Sequence, residues 1–143
     1  GIMPDPNADQ GLHRFTYSLY PHACSWYEGR TVQEAYSLNN PMFAKPAETA
    51  GSGRLPRTFG LVQNVKEGII LETVKKAEET DDLILRFYEY GGGTVKANIA
   101  TNLPVKEIAI VDLMERPLNE IIDDGQLTFT PYEIHSVKVV LDR

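Results

Sequence analysis

The stretch Leu83-Ile84-Leu85-Arg86-Phe87-Tyr88-Glu89, then the break Gly91-Gly92-Gly93, then Val95-Lys96-Ala97-Asn98-Ile99, decides how this chain is read. Leu83, Leu85 and Phe87 alternate with Ile84, Arg86 and Tyr88, the period of two of a pleated strand with distinct faces. The glycine run lacks the Lys-Ser/Thr of a phosphate loop and reads as a hairpin turn into a second strand, where Val95, Ala97 and Ile99 alternate with Lys96 and Asn98. Outward from this pair the pattern repeats. Phe59 to Val65 and Ile69 to Lys76 precede it, separated by Lys66-Glu67-Gly68. Residues 105–114, Leu127 with Phe129, and Val137, Val139 with Leu141 follow it, separated by Arg116-Pro117 and Asp123-Asp124-Gly125. About seven short strands without a βαβ rhythm or an internal repeat predict an all-β fold, an antiparallel β-sandwich of immunoglobulin-like or similar type.

The N-terminal third differs. Residues 1–11 have a loop composition, whereas His13, Phe15, Tyr17 and Leu19 alternate with polar residues and predict a strand that Pro21 ends. Thr31 and Glu34 fit a capping box for one short helix near residues 31–38, stopped by Asn39-Asn40-Pro41. Residues 45–56 are rich in Pro, Gly and Ala and predict a linker between residues 1–44 and a sandwich over residues 57–143.

The 143 residues are 42% hydrophobic and 24% charged, the balance of a folded domain. Fourteen Lys and Arg face twenty Asp and Glu, a formal charge of −6 with no basic run longer than Lys75-Lys76. Such a surface is a poor partner for nucleic acid or an anionic membrane. Apolar runs such as Ile108-Ala109-Ile110-Val111 are far short of a span. A lone Cys24 suits a reducing compartment, and no signal peptide is visible. The opening Gly-Ile-Met-Pro reads as part of something longer.

No self-contained catalytic motif emerges. His13, His22 and His135 have no metal-ligand spacing beyond His22-x-Cys24, so ordinary histidines are expected, with Cys24 as a buried inert thiol. Asp81-Asp82 and Asp123-Asp124 fall where solvated turns are expected. Tyr17, Tyr20, Trp26, Tyr27 and Tyr36 could stack on sugar rings, although core packing is the commoner use of such side chains. The first loop places Asp5, Asp9 and Gln10 before His13, a polar set able to line a binding site, although a merely polar loop is the commoner case.

Ala8-Asp9-Gln10-Gly11 and His13-Arg14-Phe15-Thr16-Tyr17-Ser18-Leu19-Tyr20-Pro21-His22 resemble a segment late in glycoside hydrolase family 38 α-mannosidases. Leu38-Asn39-Asn40-Pro41, Ile70 to Glu78, Asp81 to Glu89, Asp112-Leu113-Met114-Glu115 and Phe129 to Ile134 are similar to that family's C-terminal portion, in order and over nearly the whole chain. The resemblance implies a non-catalytic C-terminal β-sandwich part of a retaining α-mannosidase that releases mannose from mannosylated glycans. It implies that residues 1–44 belong to a central sandwich region. Zinc and the catalytic carboxylates would lie in an N-terminal catalytic domain, with no cofactor or catalytic residue in this chain. It implies the rest of the same polypeptide as partner and the glycan as substrate. A homo-oligomer is an open alternative, and a bacterial cytoplasmic location suits the cysteine count. The loop holding Asp5, Asp9, Gln10 and His13 would contribute to the substrate rim. The rival expectation is a stand-alone β-sandwich that binds carbohydrate or protein.

Overall fold

The structure, a computed structural model, describes residues 5, 7–46, 56–63, 65–122 and 125–142. Most of the expected linker and the Asp123-Asp124 pair lie outside the described residues. The chain divides into two units, Gly1–Glu48 and Thr49–Arg143.

The second unit is the sandwich. Its elements are β1 (Val62–Gln63), β2 (Ile69–Lys76), β3 (Leu83–Glu89), β4 (Val95–Asn98), β5 (Ala100–Thr101), β6 (Val105–Val111), β7 (Pro117–Ile121), β8 (Gln126–Phe129) and β9 (Ile134–Leu141). A five-stranded sheet runs β2-β3-β9-β6-β7, and two smaller pairs, β4-β8 and β1-β5, complete the layers. All pairings are antiparallel. The alternation seen in the sequence sorts the faces. Leu85 and Phe87 of β3, Ile110 of β6 and Val137 and Val139 of β9 point inward. There they meet Ala97 of β4 and Leu127 and Phe129 of β8, and Phe129 is fully enclosed. Burying such side chains is the main driving force of the fold, about 1.5–3 kcal/mol each. On the outer face Ala77, Ile84 and Val111 form a second, smaller cluster.

Three expectations are corrected within this unit. The glycine run is not a hairpin: β3 pairs with β2 and β9, while β4 pairs with β8, so Gly91-Gly92-Gly93 carries the chain from one layer to the other. Phe59 to Val65 shortens to the two residues of β1. Pro117 does not merely close a strand but opens β7 opposite Val111. Proline is tolerated there because β7 is a sheet edge, where a missing N–H leaves no partner waiting.

The first unit contains α1 (Thr31–Asn39), with no residue of the helix buried. The expected strand from His13 to Leu19 is absent as a ladder. Among the described residues, no backbone hydrogen bond involves residues 12–20. Phe15, Tyr17 and Leu19 are 82%, 86% and 91% exposed. The pattern is that of a strand, but among the described residues no second strand lies beside it to accept its hydrogen bonds. Thr31 and Glu34 do not form the capping box either. The residue before α1 is Arg30 in left-handed backbone (φ 54°), and no side chain caps the helix. The reciprocal box forms one turn earlier. The Ser25 amide and hydroxyl donate to Glu28 Oε2 at 3.1 and 2.7 Å, and the Glu28 amide donates to Ser25 Oγ at 3.2 Å.

Candidate functional site

The first loop holds the four residues singled out in the sequence. All are exposed. The Asn7 amide donates to Asp5 Oδ1 at 2.9 Å, and Gln10 Nε2 reaches Asn7 Oδ1 at 3.5 Å. Asp9 adopts left-handed backbone (φ 56°), which turns its carbonyl toward His13 Nε2 at 2.9 Å. The loop thus folds on its own polar groups, with Asp5, Asp9, Gln10 and His13 along one short exposed turn.

Further along the chain, His22 is locked rather than free. Its Nδ1 lies 2.8 Å from the Cys24 carbonyl, so this nitrogen carries the proton. Its Nε2 lies 3.4 Å from Thr31 Oγ1. Tyr20 donates to the Gly29 carbonyl at 3.0 Å. Cys24, at a bend over residues 23–24, is exposed, not the buried thiol expected. The aromatic side chains are not core either: Tyr20 and Trp26 are 44% and 47% exposed. Trp26, Val32, Ala35, Tyr36, Asn39 and Asn40 line an open groove of about 450 Å³.

The most constrained polar site was not anticipated. Glu89, at the end of β3, is 2% exposed. Its Oε1 accepts the amides of Gly91 at 2.7 Å and Gly93 at 3.3 Å. Its Oε2 accepts the amides of Gly92 at 2.8 Å and Tyr132 at 2.9 Å. Burial pushes the carboxyl up, but the amides of Tyr132, Gly92, Gly93 and Gly91 together outweigh it and hold Glu89 below the usual carboxylate range. The site explains the glycines. Gly92 is at φ 77°, and a Cβ there would lie 2.6 Å from Tyr132 Oη. Tyr132 itself is left-handed (φ 60°) and 68% exposed. The neighbouring turn is tied by Glu133, whose Oε2 accepts the Thr130 amide and hydroxyl at 2.7 and 2.9 Å. The available signal was a Glu two residues before a triple glycine, a carboxylate within reach of a concave row of amides.

A second polar cluster sits at the other end of the sheet. Asp82, expected as a solvated turn residue, is buried. It accepts from Thr80 Oγ1 at 2.7 Å and the Leu141 amide at 3.2 Å, and pairs with Lys138 at 3.5 Å. Lys75 Nζ bridges Glu78 and Glu115 at 2.6 and 2.9 Å. These groups tie the β2–β3 turn to the β6–β7 turn. No three His, Cys, Asp or Glu side chains among the described residues converge to hold a metal.

These parts define a two-layer β-sandwich domain whose buried charges serve its own turns. Residues 68–137 match the family model described as the glycosyl hydrolases family 38 C-terminal beta sandwich domain. The chain is 38% identical over 146 residues to "Alpha-mannosidase 2C1" of Homo sapiens, covering 96% of this chain and 14% of that protein. It is 38% identical over 147 residues to the Mus musculus protein of the same name, again covering 96% of this chain and 14% of that protein. It is 37% identical over 112 residues to "Alpha-mannosidase G" of Dictyostelium discoideum, covering 76% of this chain and 10% of that protein. The chain belongs to glycosyl hydrolase family 38 and carries its C-terminal β-sandwich domain. It spans about 14% of the length of the α-mannosidases 2C1 it matches.

Proposed function

We propose that this chain is the non-catalytic C-terminal part of a retaining α-mannosidase, with its sandwich serving as structural support for the rest of the polypeptide. The observation that carries this reading is the bare segment at residues 12–20. Its apolar side chains alternate as in a strand, they are exposed, and its backbone hydrogen-bonding groups are unpaired among the described residues. Such a stretch is costly to leave uncovered. It is satisfied if residues 1–44 complete a sheet in the preceding part of the polypeptide, with 45–56 leading into the sandwich. The relatives support this, since their alignment to the chain extends well beyond the 68–137 sandwich match. In this reading the zinc and the catalytic carboxylates are supplied by the rest of the polypeptide, and the loop of Asp5, Asp9, Gln10 and His13 lies at the substrate rim.

The test is the native mass of the polypeptide that yields peptides of this chain, measured by size separation with an α-mannoside assay on each fraction. Co-migration with zinc-dependent hydrolysis in a much longer polypeptide is expected. Migration at the size of this chain, without hydrolysis, overturns the reading. Replacing Asp9 and Gln10 by Ala in the active polypeptide is expected to alter mannoside kinetics, and unchanged kcat and KM would remove the loop from the rim.

The groove lined by Trp26, Tyr36, Asn39 and Asn40 favours one alternative, a stand-alone glycan-binding module, because an aromatic face beside amide side chains suits a sugar ring. A mannoside-induced change in Trp26 fluorescence would support it.

A further inference from the structure

Three half-buried cations line the outer face of the five-stranded sheet: Lys75 on β2, Arg86 on β3 and Lys138 on β9. Two are matched by acids. Lys75 pairs with Glu78 and Glu115, and Lys138 lies 3.5 Å from Asp82. Arg86 is different. Its Nε donates to Ser136 Oγ at 3.2 Å, and among the described residues no carboxylate lies within ion-pair distance of it. This is unexpected in a chain with twenty acids and fourteen bases. Basic residues such as Arg14, Lys66, Lys96 and Lys106 are exposed and served by water. A guanidinium partly withdrawn from water is poorly served by one hydroxyl, because it has five N–H donors in a planar fork that fits a carboxylate.

The register places Arg86 centrally. It stands between Thr73 on β2 and Ser136 on β9, and Ser136 in turn stands beside Val111 on β6. One register step of the same face away lie Tyr88 and Ile134, and Ile134 is 61% exposed. Around Arg86 the face is thus made of Thr73, Ser136, Val111, Tyr88 and Ile134, with the Glu72 carboxylate engaged by Thr73 Oγ1. The Lys75 and Lys138 end is already closed by the β2–β3 and β6–β7 turns, whose Glu78 amide donates to Glu115 Oε2 at 2.8 Å.

We infer that this outer face is a docking surface on which a carboxylate from the remainder of the same polypeptide seats on Arg86. The inference rests on the reading that the chain is part of a longer α-mannosidase. Charge complementarity selects the occupant. A second copy with its two-fold axis passing at Arg86 would set Arg86 against Arg86, so that packing is disfavoured. A surface bearing Asp or Glu amid apolar neighbours satisfies the fork and covers Ile134 together.

The test uses the full-length active polypeptide, with Arg86→Glu and Arg86→Gln compared by thermal unfolding. Lys96→Glu, exposed on β4, sets the effect of net charge alone. With a carboxylate opposite, Arg86→Glu sets two anions together and lowers the unfolding midpoint by about 5 °C or more beyond Lys96→Glu, with Arg86→Gln in between. A midpoint for Arg86→Glu equal to that of Lys96→Glu overturns the inference. If Arg86→Glu yields no folded protein, phenylglyoxal labelling of the unmutated polypeptide decides. Arg86 is expected to react roughly tenfold more slowly than Arg116, whose side chain is 73% exposed. Comparable rates refute docking while leaving the α-mannosidase reading intact. Peptides recovered only from a chain-sized, inactive species refute that reading instead.

Discussion

Removing the Glu89 carboxylate is the most informative perturbation of the sandwich. Four backbone amides converge on its two oxygens at 2.7 to 3.3 Å, three from the glycine turn and one from Tyr132 across the layer. A hydrogen bond to a charged group contributes about 1.5–3 kcal/mol. The four are not additive, because the glycines are at most half-buried and water can reach part of the turn once the carboxylate is gone. Glu89→Ala is therefore expected to lose roughly 3–5 kcal/mol, at the upper end of single substitutions. For a unit of this size that lowers the midpoint by about 12 °C or more. Glu89→Gln keeps the volume but faces amide donors with its own NH2 group, and should lose about 2–3 kcal/mol.

The same site fixes a pH dependence. The carboxyl is held below its ordinary value in the folded chain, so its stabilisation is fully present above the unfolded pKa of about 4.3 and is lost as pH falls through the folded value. The stability difference between the native chain and Glu89→Gln should be constant above about pH 5 and shrink below it. Urea unfolding followed by far-UV circular dichroism measures both. Trp26 fluorescence does not serve, since that residue belongs to the other unit. A loss under about 1 kcal/mol for Glu89→Ala, or a Glu89→Gln difference as large at pH 3 as at pH 7, would refute the reasoning.

Two glycine substitutions should differ in a defined order. At Gly125 (φ 72°) an added Cβ meets the Ile99 carbonyl oxygen at 2.7 Å, a backbone atom that cannot swing away, so Gly125→Ala should cost about 2 kcal/mol or more. At Gly92 the obstacle is the far end of the exposed Tyr132 side chain, so Gly92→Ala should cost only the left-handed penalty, about 1–2 kcal/mol, and equal losses in urea unfolding would contradict this. Phe129→Ala, at a fully enclosed position, should lose about 3–5 kcal/mol, whereas Phe15→Ala should leave the chain's own unfolding unchanged and destabilise only the longer polypeptide.

What could be read from the sequence was whatever local alternation decides. The inward set Leu85, Phe87, Val137 and Val139 is visible in the pattern because a pleated strand sorts its residues by parity. What could not be read was partner choice. A triple glycine announces a tight turn but not that the strand beyond it pairs with β8 rather than β3. Ser25-x-x-Glu28 and Thr31-x-x-Glu34 have the same capping form, and only the left-handed Arg30 between them, with Thr31 Oγ1 near His22, settles which one closes. Asp81 and Asp82 look alike in sequence. One is exposed while the other is buried, because Leu141 and Lys138 arrive on β9 from far along the chain.

The candidate site shows the same limit from the other side. Asp5, Asp9, Gln10 and His13 were legible as a polar loop because loop chemistry is local, whereas Glu89 was not, since its fourth donor comes from Tyr132. Residues 12–20 and Arg86 share one further property. Each has the residue types of a well-paired element, an alternating apolar strand and a half-buried fork donor, and each is left underpartnered among the described residues. Folding selects against such groups unless something satisfies them. These two places are among those where the sequence carries information about surfaces beyond the chain. Covering both with one larger polypeptide accounts for them together, and a stand-alone module would have to leave both unmet.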